Sequence, residues 1–248
     1  MTILKYTSTV EELLHIKELQ PQPGRNFIPD WYFKTPIYGD RDKEIVDTKY
    51  GLSGDFKSKL KPGLRTVKRC PSFHEIFDEG LVVVSPCDVW IRLFNFDNDW
   101  EWESKLKNAL DVEFHEHEQF RDPYGDKNIR AVFKLNLPWK FETPKGYSVR
   151  QFPMLYANNP DWTVAYGVVR TDIHNEINAQ LLYTSDKDEI LIKAGEPICY
   201  IVPYKRLDNK YKLITNKKER EKFLLKTRVN VYQVVSSFKS GYHKLKIK

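Results

Sequence analysis

His115 and His117 are the residues of this chain whose spacing most directly suggests metal chemistry. Two positions apart on a strand, their imidazoles project from one face, and Glu113 shares that face. Two histidines and a carboxylate form the open facial triad of non-haem iron oxygenases. A second reading stays open beside it. Glu116-His117-Glu118 is a charged run that suits a solvated edge strand, and His174 is too distant in sequence to be an obvious further ligand.

The other reactive side chains form no set. Cys70, Cys87 and Cys199 contain no C-x-x-C pair, and their number is odd. That argues against a disulfide framework or a thiolate zinc site, and for reduced, mostly buried thiols in a cytosolic setting. His74 lies four residues after Cys70, a spacing that fits no nucleophile motif. There is no Walker-type phosphate loop and no G-x-G-x-x-G. The sequence calls for no cofactor.

The elements that must position these groups are mostly strands. Leu81–Ser85, Asp88–Phe94, Asp111–Phe120 and the runs 163–170, 175–184, 189–193 and 197–203 are short and rich in β-branched and aromatic residues. Gly, Pro and Asp turns separate them, without interleaved helices. This pattern predicts a mainly β fold, a distorted barrel or jelly roll, with peripheral N- and C-terminal helices. With 248 residues, 41% hydrophobic and 14% aromatic, the chain can bury a substantial core. Residues 1–65 read as an extended segment and insertion wrapped on the core, 66–206 as the β-rich core, and 207–248 as a basic amphipathic helix and tail.

Local signals refine this outline. Ser8-Thr9-Val10-Glu11 forms a capping box ahead of Leu13, Leu14, Ile16 and Leu19, which predicts a helix ended by Pro21 and Pro23-Gly24. Ile28 to Pro36 sets Trp31, Tyr32 and Phe33 between prolines, which predicts an extended segment covering an apolar patch, with ligand stacking as the alternative. Tyr38 to Pro62 is a long polar loop of the kind a partner contacts. Phe73 to Phe77 predicts a short helix with Gly80 as its C-cap. Gly195 is a turn glycine. Asn216 to Phe238 predicts a helix, although its β-branched end, Val229 to Val235, also suits a strand.

Lys and Arg number 40 against 34 Asp and Glu, a net charge of +6 with a pI near 9.0. The charges are mixed except from Lys210 to Lys248, where the excess is basic. A helix docked on its own domain with a solvated lysine face accounts for that tail; a membrane-surface or nucleic-acid contact is the alternative. Direct nucleic-acid binding is disfavoured by the mixed charge elsewhere. The N-terminus lacks the apolar run of a signal peptide, and no stretch approaches the ~20 apolar residues of a membrane span, so a soluble protein is expected.

Two family resemblances add to this. Pro144-Lys145-Gly146-Tyr147, Gly167-Val168-Val169-Arg170-Thr171-Asp172 and Ala194-Gly195-Glu196-Pro197-Ile198 resemble the core of the deoxyuridine triphosphatase and deoxycytidine triphosphate deaminase fold over residues 144–206. The resemblance implies a fold of that kind, a homo-oligomer with a trimer favoured, and nucleotide contacts at Tyr147, Ser148, Arg150, Arg170 and Asp172. It also implies that the family's general-base aspartate falls on Arg170 and its deoxyribose-stacking tyrosine on Ile173. A guanidinium stays protonated and cannot accept the proton of an attacking water; Asp172, two residues on, is the substitute acid. No catalytic residue is therefore assigned.

The second resemblance rests on Pro29-Asp30-Trp31-Tyr32, Thr66-Val67-Lys68-Arg69-Cys70-Pro71, His117-Glu118-Gln119-Phe120, Pro138-Trp139 and Thr143-Pro144-Lys145-Gly146-Tyr147-Ser148 with Gly167-Val168-Val169 and Gly195-Glu196-Pro197-Ile198. Together these are similar to an uncharacterised family of tailed-phage proteins. That implies a non-enzymatic virion, assembly or host-interaction component, located in the host cytoplasm during infection or in the virion, with phage or host proteins as partners. A divergent deoxynucleotide-binding or hydrolysing protein is the second expectation, and a His-x-His oxygenase the third.

Overall fold

The structure, a computed structural model, describes residues 3–35, 67–94, 99–106, 110–115, 129–157, 159–207 and 212–225. The chain divides into two compact units, Met1–Arg206 and Leu207–Lys248. The described part of the first unit is mainly β, with three antiparallel sheets.

The first sheet is built on the long strand β7 (Ala131–Glu142). One edge of β7 pairs with β11 (Glu176–Tyr183), which pairs in turn with β9 (Trp162–Val164). Along the other edge, β6 (Asp111–His115) covers residues 132–136 and β1 (Lys5–Ser8) covers residues 139–142. Pro138 falls in the gap between these two partners, where its missing N–H breaks no ladder bond. On the β11 side the register jumps from Glu176↔Lys140 to Asn178↔Asn136, a bulge that also spans Pro138. The Pro138 carbonyl is still used: it accepts from the Thr9 N–H at 3.0 Å.

The second sheet runs β10–β8–β13–β3–β2, with β10 (Gly167–Val169), β8 (Tyr147–Phe152), β13 (Pro197–Lys205), β3 (Leu81–Val84) and β2 (Gln22–Pro23). The third is β12 (Glu189–Ile192), β4 (Val89–Phe94) and β5 (Asp99–Ser104). All three contribute to one core. Phe133, Leu135, Trp139, Leu181 and Tyr183 come from the first sheet, Val83, Val149, Cys199 and Ile201 from the second, and Val89, Ile91, Ile190 and Ile192 from the third. The run expected over 163–170 is split at Ala165 and Tyr166. There the chain leaves the first sheet at β9 and joins the second at β10.

The N-terminal helix does not form. Ser8 is the last residue of β1, and its hydroxyl accepts from the Val10 N–H instead of capping a helix. Two 3-10 turns follow, Glu11–His15 and Lys17–Leu19, and only Leu13 in them is buried. The aromatic segment is not extended: Asp30–Lys34 is a short helix, α1. Tyr32 is buried and stacks on Phe73, while Trp31 and Phe33 are exposed. The short helix near Phe73 is Pro71–Asp78, α2. Gly80 is not its left-handed cap, because Gly146 and Gly195 are the glycines with positive φ among the described residues. A Cβ on Gly80 would lie 2.1 Å from the Ile201 carbonyl oxygen, so close approach to β13 is what demands glycine there. Gly195 is a turn glycine as expected, with φ +79°. Cys87 and Cys199 are buried free thiols, and Cys70 is exposed.

The second unit, taken by itself, contains a helix over 217–225, with Asn216 Oδ1 accepting from the Glu219 N–H at its start. The rest of the predicted helix, and the loop 38–62, lie outside the described residues. No helix of the described residues is long and apolar enough to cross a membrane.

Candidate functional site

Three segments meet at one end of the second sheet: the turn between β7 and β8, the turn after β10, and the end of β13. Asp172 ties them together. Its side chain is only 5% exposed and pairs with Arg206 through both carboxylate oxygens. Oδ2 also accepts from the Gly146 N–H at 3.0 Å. Gly146, at φ +86°, holds the conformation that turns this N–H inward. Arg206 donates further to the Tyr147 carbonyl at 2.5 Å and to Ser148 Oγ at 2.6 Å. Beside them, the buried hydroxyls of Thr143 and Thr171 are 2.7 Å apart, and the Thr143 N–H donates to the Thr171 carbonyl. The result is a polar knot whose groups satisfy one another.

This arrangement fixes what Asp172 can do. The Arg206 guanidinium, and after it the Gly146 N–H, hold its carboxyl well below the usual carboxylate range. The same pairing raises the Arg206 guanidinium. A general base works best with a pKa near the operating pH and with a free oxygen facing the proton it takes. Asp172 has neither.

The other residues expected at a nucleotide site divide into two groups. Ser148 is fully buried with its hydroxyl bonded to Arg206, and Tyr147 is half-buried at the start of β8. Arg150 lies two residues along β8, exposed, with its guanidinium 4.2 Å from the centroid of the Tyr204 ring. Arg170 is exposed, and its carbonyl accepts from the N–H groups of Ile173 and His174. Gly167 opens β10 opposite Gln151. Tyr147, Ser148 and Asp172 therefore converge around Arg206, while Arg150 and Arg170 stay at the surface. Arg206 is the organising residue that the sequence reading missed. It lies 34 residues from Asp172 with no motif linking the two, so only the fold reveals the pair.

The metal candidate is placed only in part. His115 and Glu113 lie on β6, and His117 lies outside the described residues. Both Glu113 oxygens are engaged, one by Lys134 Nζ at 3.0 Å and one by Asn136 Nδ2 at 2.5 Å. Those two donors, Lys134 first, hold the Glu113 carboxyl below its ordinary value. Among the described residues no three His, Cys, Asp or Glu side chains are grouped to hold a metal ion.

A concavity of about 450 Å³ opens elsewhere, lined in part by Pro153, Met154, Asp161, Trp162, Glu196 and Pro197. Its Asp161 is bound to Ser185 Oγ at 2.7 Å and Lys187 Nζ at 2.8 Å.

No family model and no curated protein matches this chain. Among solved structures it is distantly similar to several dUTPases. Native EIAV dUTPase is 11% identical, over 56% of this chain and 86% of that one, with a TM-score of 0.33. A Staphylococcus bacteriophage 80alpha dUTPase mutant is 10% identical, over 56% and 84%, with a TM-score of 0.32. A dUTPase mutant from phage phi11 of S. aureus is 9% identical, over 57% and 86%, also with a TM-score of 0.32.

Proposed function

We propose that this chain is a non-enzymatic phage protein, a virion, assembly or host-interaction component on a β scaffold. The observation that carries the reading is the Asp172–Arg206 pair. Asp172, the acid two residues from the cationic Arg170, is consumed in holding three segments together. The surface beside the knot favours protein contacts. Tyr166 is 68% exposed and Val168 59% at the edge strand β10, and Ile173 is 72% exposed in the turn that follows it. Apolar side chains along a sheet edge are what another chain covers, including a second copy in a homo-oligomer. Particle proteomics tests the virion version, which absence from purified virions rejects. Incubation with deoxynucleoside triphosphates and magnesium tests the inert-scaffold core of the proposal. The expected result is no release of pyrophosphate or phosphate; turnover that disappears in Asp172→Asn overturns it.

A deoxynucleotide-binding role is the second reading. Exposed Arg150 and Arg170 favour it, since both keep guanidinium groups at the surface near the knot. Calorimetric titration with deoxynucleoside triphosphates and magnesium decides it: absence of heat removes this reading.

A further inference from the structure

The third sheet has an outer face that folding alone leaves unexplained. Alternation along its strands sends Trp90, Arg92 and Phe94 of β4, Asp99, Glu101 and Glu103 of β5, and Glu189 and Leu191 of β12 away from the core. The register sets them in rows. Leu191, Trp90 and Glu103 lie side by side, then Glu189, Arg92 and Glu101, then Phe94 and Asp99. The solvated face of an antiparallel sheet is ordinarily polar. Here three of eight outward residues are large and apolar, with Phe94 45% exposed and Leu191 38%. The other five comprise four carboxylates and one arginine, a net charge of −3 (one minus four).

Arg92 shows what this face accepts. Its guanidinium lies between the two acids of its own row, with Nε donating to Glu189 at 2.8 Å and Nη1 to Glu101 at 3.1 Å. Beside it a depression of about 190 Å³ is lined by Trp90, Arg92, Glu101, Trp102 and Glu103. An indole wall with carboxylates at its rim suits a second cation, which gains from the ring face and from the acids together. Lysine and arginine side chains also bring an aliphatic stem that fits beside exposed apolar groups.

We propose that the outer face of β12–β4–β5 is a docking surface for a lysine- or arginine-rich polypeptide segment in extended form, one of whose cationic side chains enters the depression beside Trp90. Charge complementarity selects the occupant. The face repels phosphate and acidic peptides, and its apolar residues cover more than a small inorganic cation would. This surface is separate from the Asp172 knot and does not depend on how that knot is read.

The test uses the full chain and a synthetic ten-residue peptide alternating lysine and valine, followed by tryptophan fluorescence and calorimetry at 50 and 300 mM salt. Binding at low salt should weaken at least tenfold in the Glu101→Gln/Glu103→Gln double variant. A control, Glu11→Gln/Glu12→Gln, removes the same charge from an exposed 3-10 turn and should bind as the parent does. Circular dichroism melts confirm that both variants are folded. Trp90→Leu, which keeps an apolar surface and removes the indole, should weaken the lysine peptide by several-fold. The proposal is overturned by any of three results: no binding at millimolar peptide, equal loss in the control variant, or equal affinity for a glutamate–valine peptide or for single-stranded DNA.

Discussion

Replacing Gly80 by alanine should be among the most damaging single-methyl additions in the first unit. Gly80 follows α2 and enters β3, and the added Cβ would sit 2.1 Å from the Ile201 carbonyl oxygen and 2.9 Å from the Tyr200 ring. Non-bonded carbons sit best at about 3.5–4.0 Å, so the shortfall exceeds about 1 Å against backbone. Neither neighbour can yield easily. Tyr200 is fully buried and its hydroxyl donates to the Ile76 carbonyl. Ile201 is paired with Leu81 on one side and Gln151 on the other, and the Gly80 carbonyl accepts from the Gly24 N–H at 3.0 Å. Overpacking of this kind costs about 1–3 kcal/mol, and contacts this rigid belong at the upper end. For a chain of this size ~3 kcal/mol corresponds to a fall in Tm of roughly 6–12 °C. Urea denaturation followed by circular dichroism measures it. Gly80→Asn separates the two explanations of the glycine. A left-handed cap tolerates asparagine better than alanine, whereas close approach makes asparagine at least as harmful. An alanine variant within ~0.5 kcal/mol of the parent, or an asparagine variant clearly milder than alanine, would refute the steric account.

Gly195 should behave in the opposite way. A Cβ there meets nothing closer than 3.8 Å, but φ is +79°, so alanine should cost about 1–2 kcal/mol and asparagine less in the same urea assay. Phe133→Ala should cost about 3–5 kcal/mol, because the ring is fully buried among Trp100, Phe114 and Tyr183; a loss under 1 kcal/mol would mean that the core is not packed as described. The Asp172 pair predicts a pH dependence. Its folded pKa lies below the unfolded value near 4, so its stabilisation is present above about pH 4 and is lost as pH falls further. The stability gap between the parent and Asp172→Asn should therefore be widest at pH 6–7 and shrink towards pH 3. A gap that stays constant with pH would contradict the ion pair.

The strands were legible because burial imposes a period of two that the residues carry directly. Val89, Ile91 and Leu93 alternate with Trp90, Arg92 and Phe94, and their inward and outward assignments follow from that. The N-terminal helix was misread because a capping box is a weak local signal, and pairing of Lys5–Ser8 with β7 overrides it. The prolines flanking α1 made the segment look extended, yet stacking of Tyr32 on Phe73 stabilises a single helical turn there. Within the candidate site, the turn residues Gly146 and Asp172 were visible, and their partner was not. Arg206 closes the last strand with no local feature to mark it. Long-range ion pairs leave no periodicity in the sequence.

On the proposed reading, the knot is what keeps this carboxylate out of proton-transfer chemistry. A carboxylate takes a proton from water most effectively when its pKa lies near the operating pH and an oxygen faces that water. Asp172 is held in one state by the same guanidinium that binds the Tyr147 carbonyl and the Ser148 hydroxyl. Freeing the acid therefore means releasing the turn at Gly146 and the end of β13 at once. Arg206→Met tests this coupling. It should destabilise the first unit, move the Asp172 carboxyl back towards its ordinary value, and still produce no deoxynucleotide hydrolysis, because Arg170 remains beside it as a fixed cation. Appearance of hydrolysis in Arg206→Met, with the fold intact, would show that the pair restrains a latent active site and that the scaffold reading is wrong.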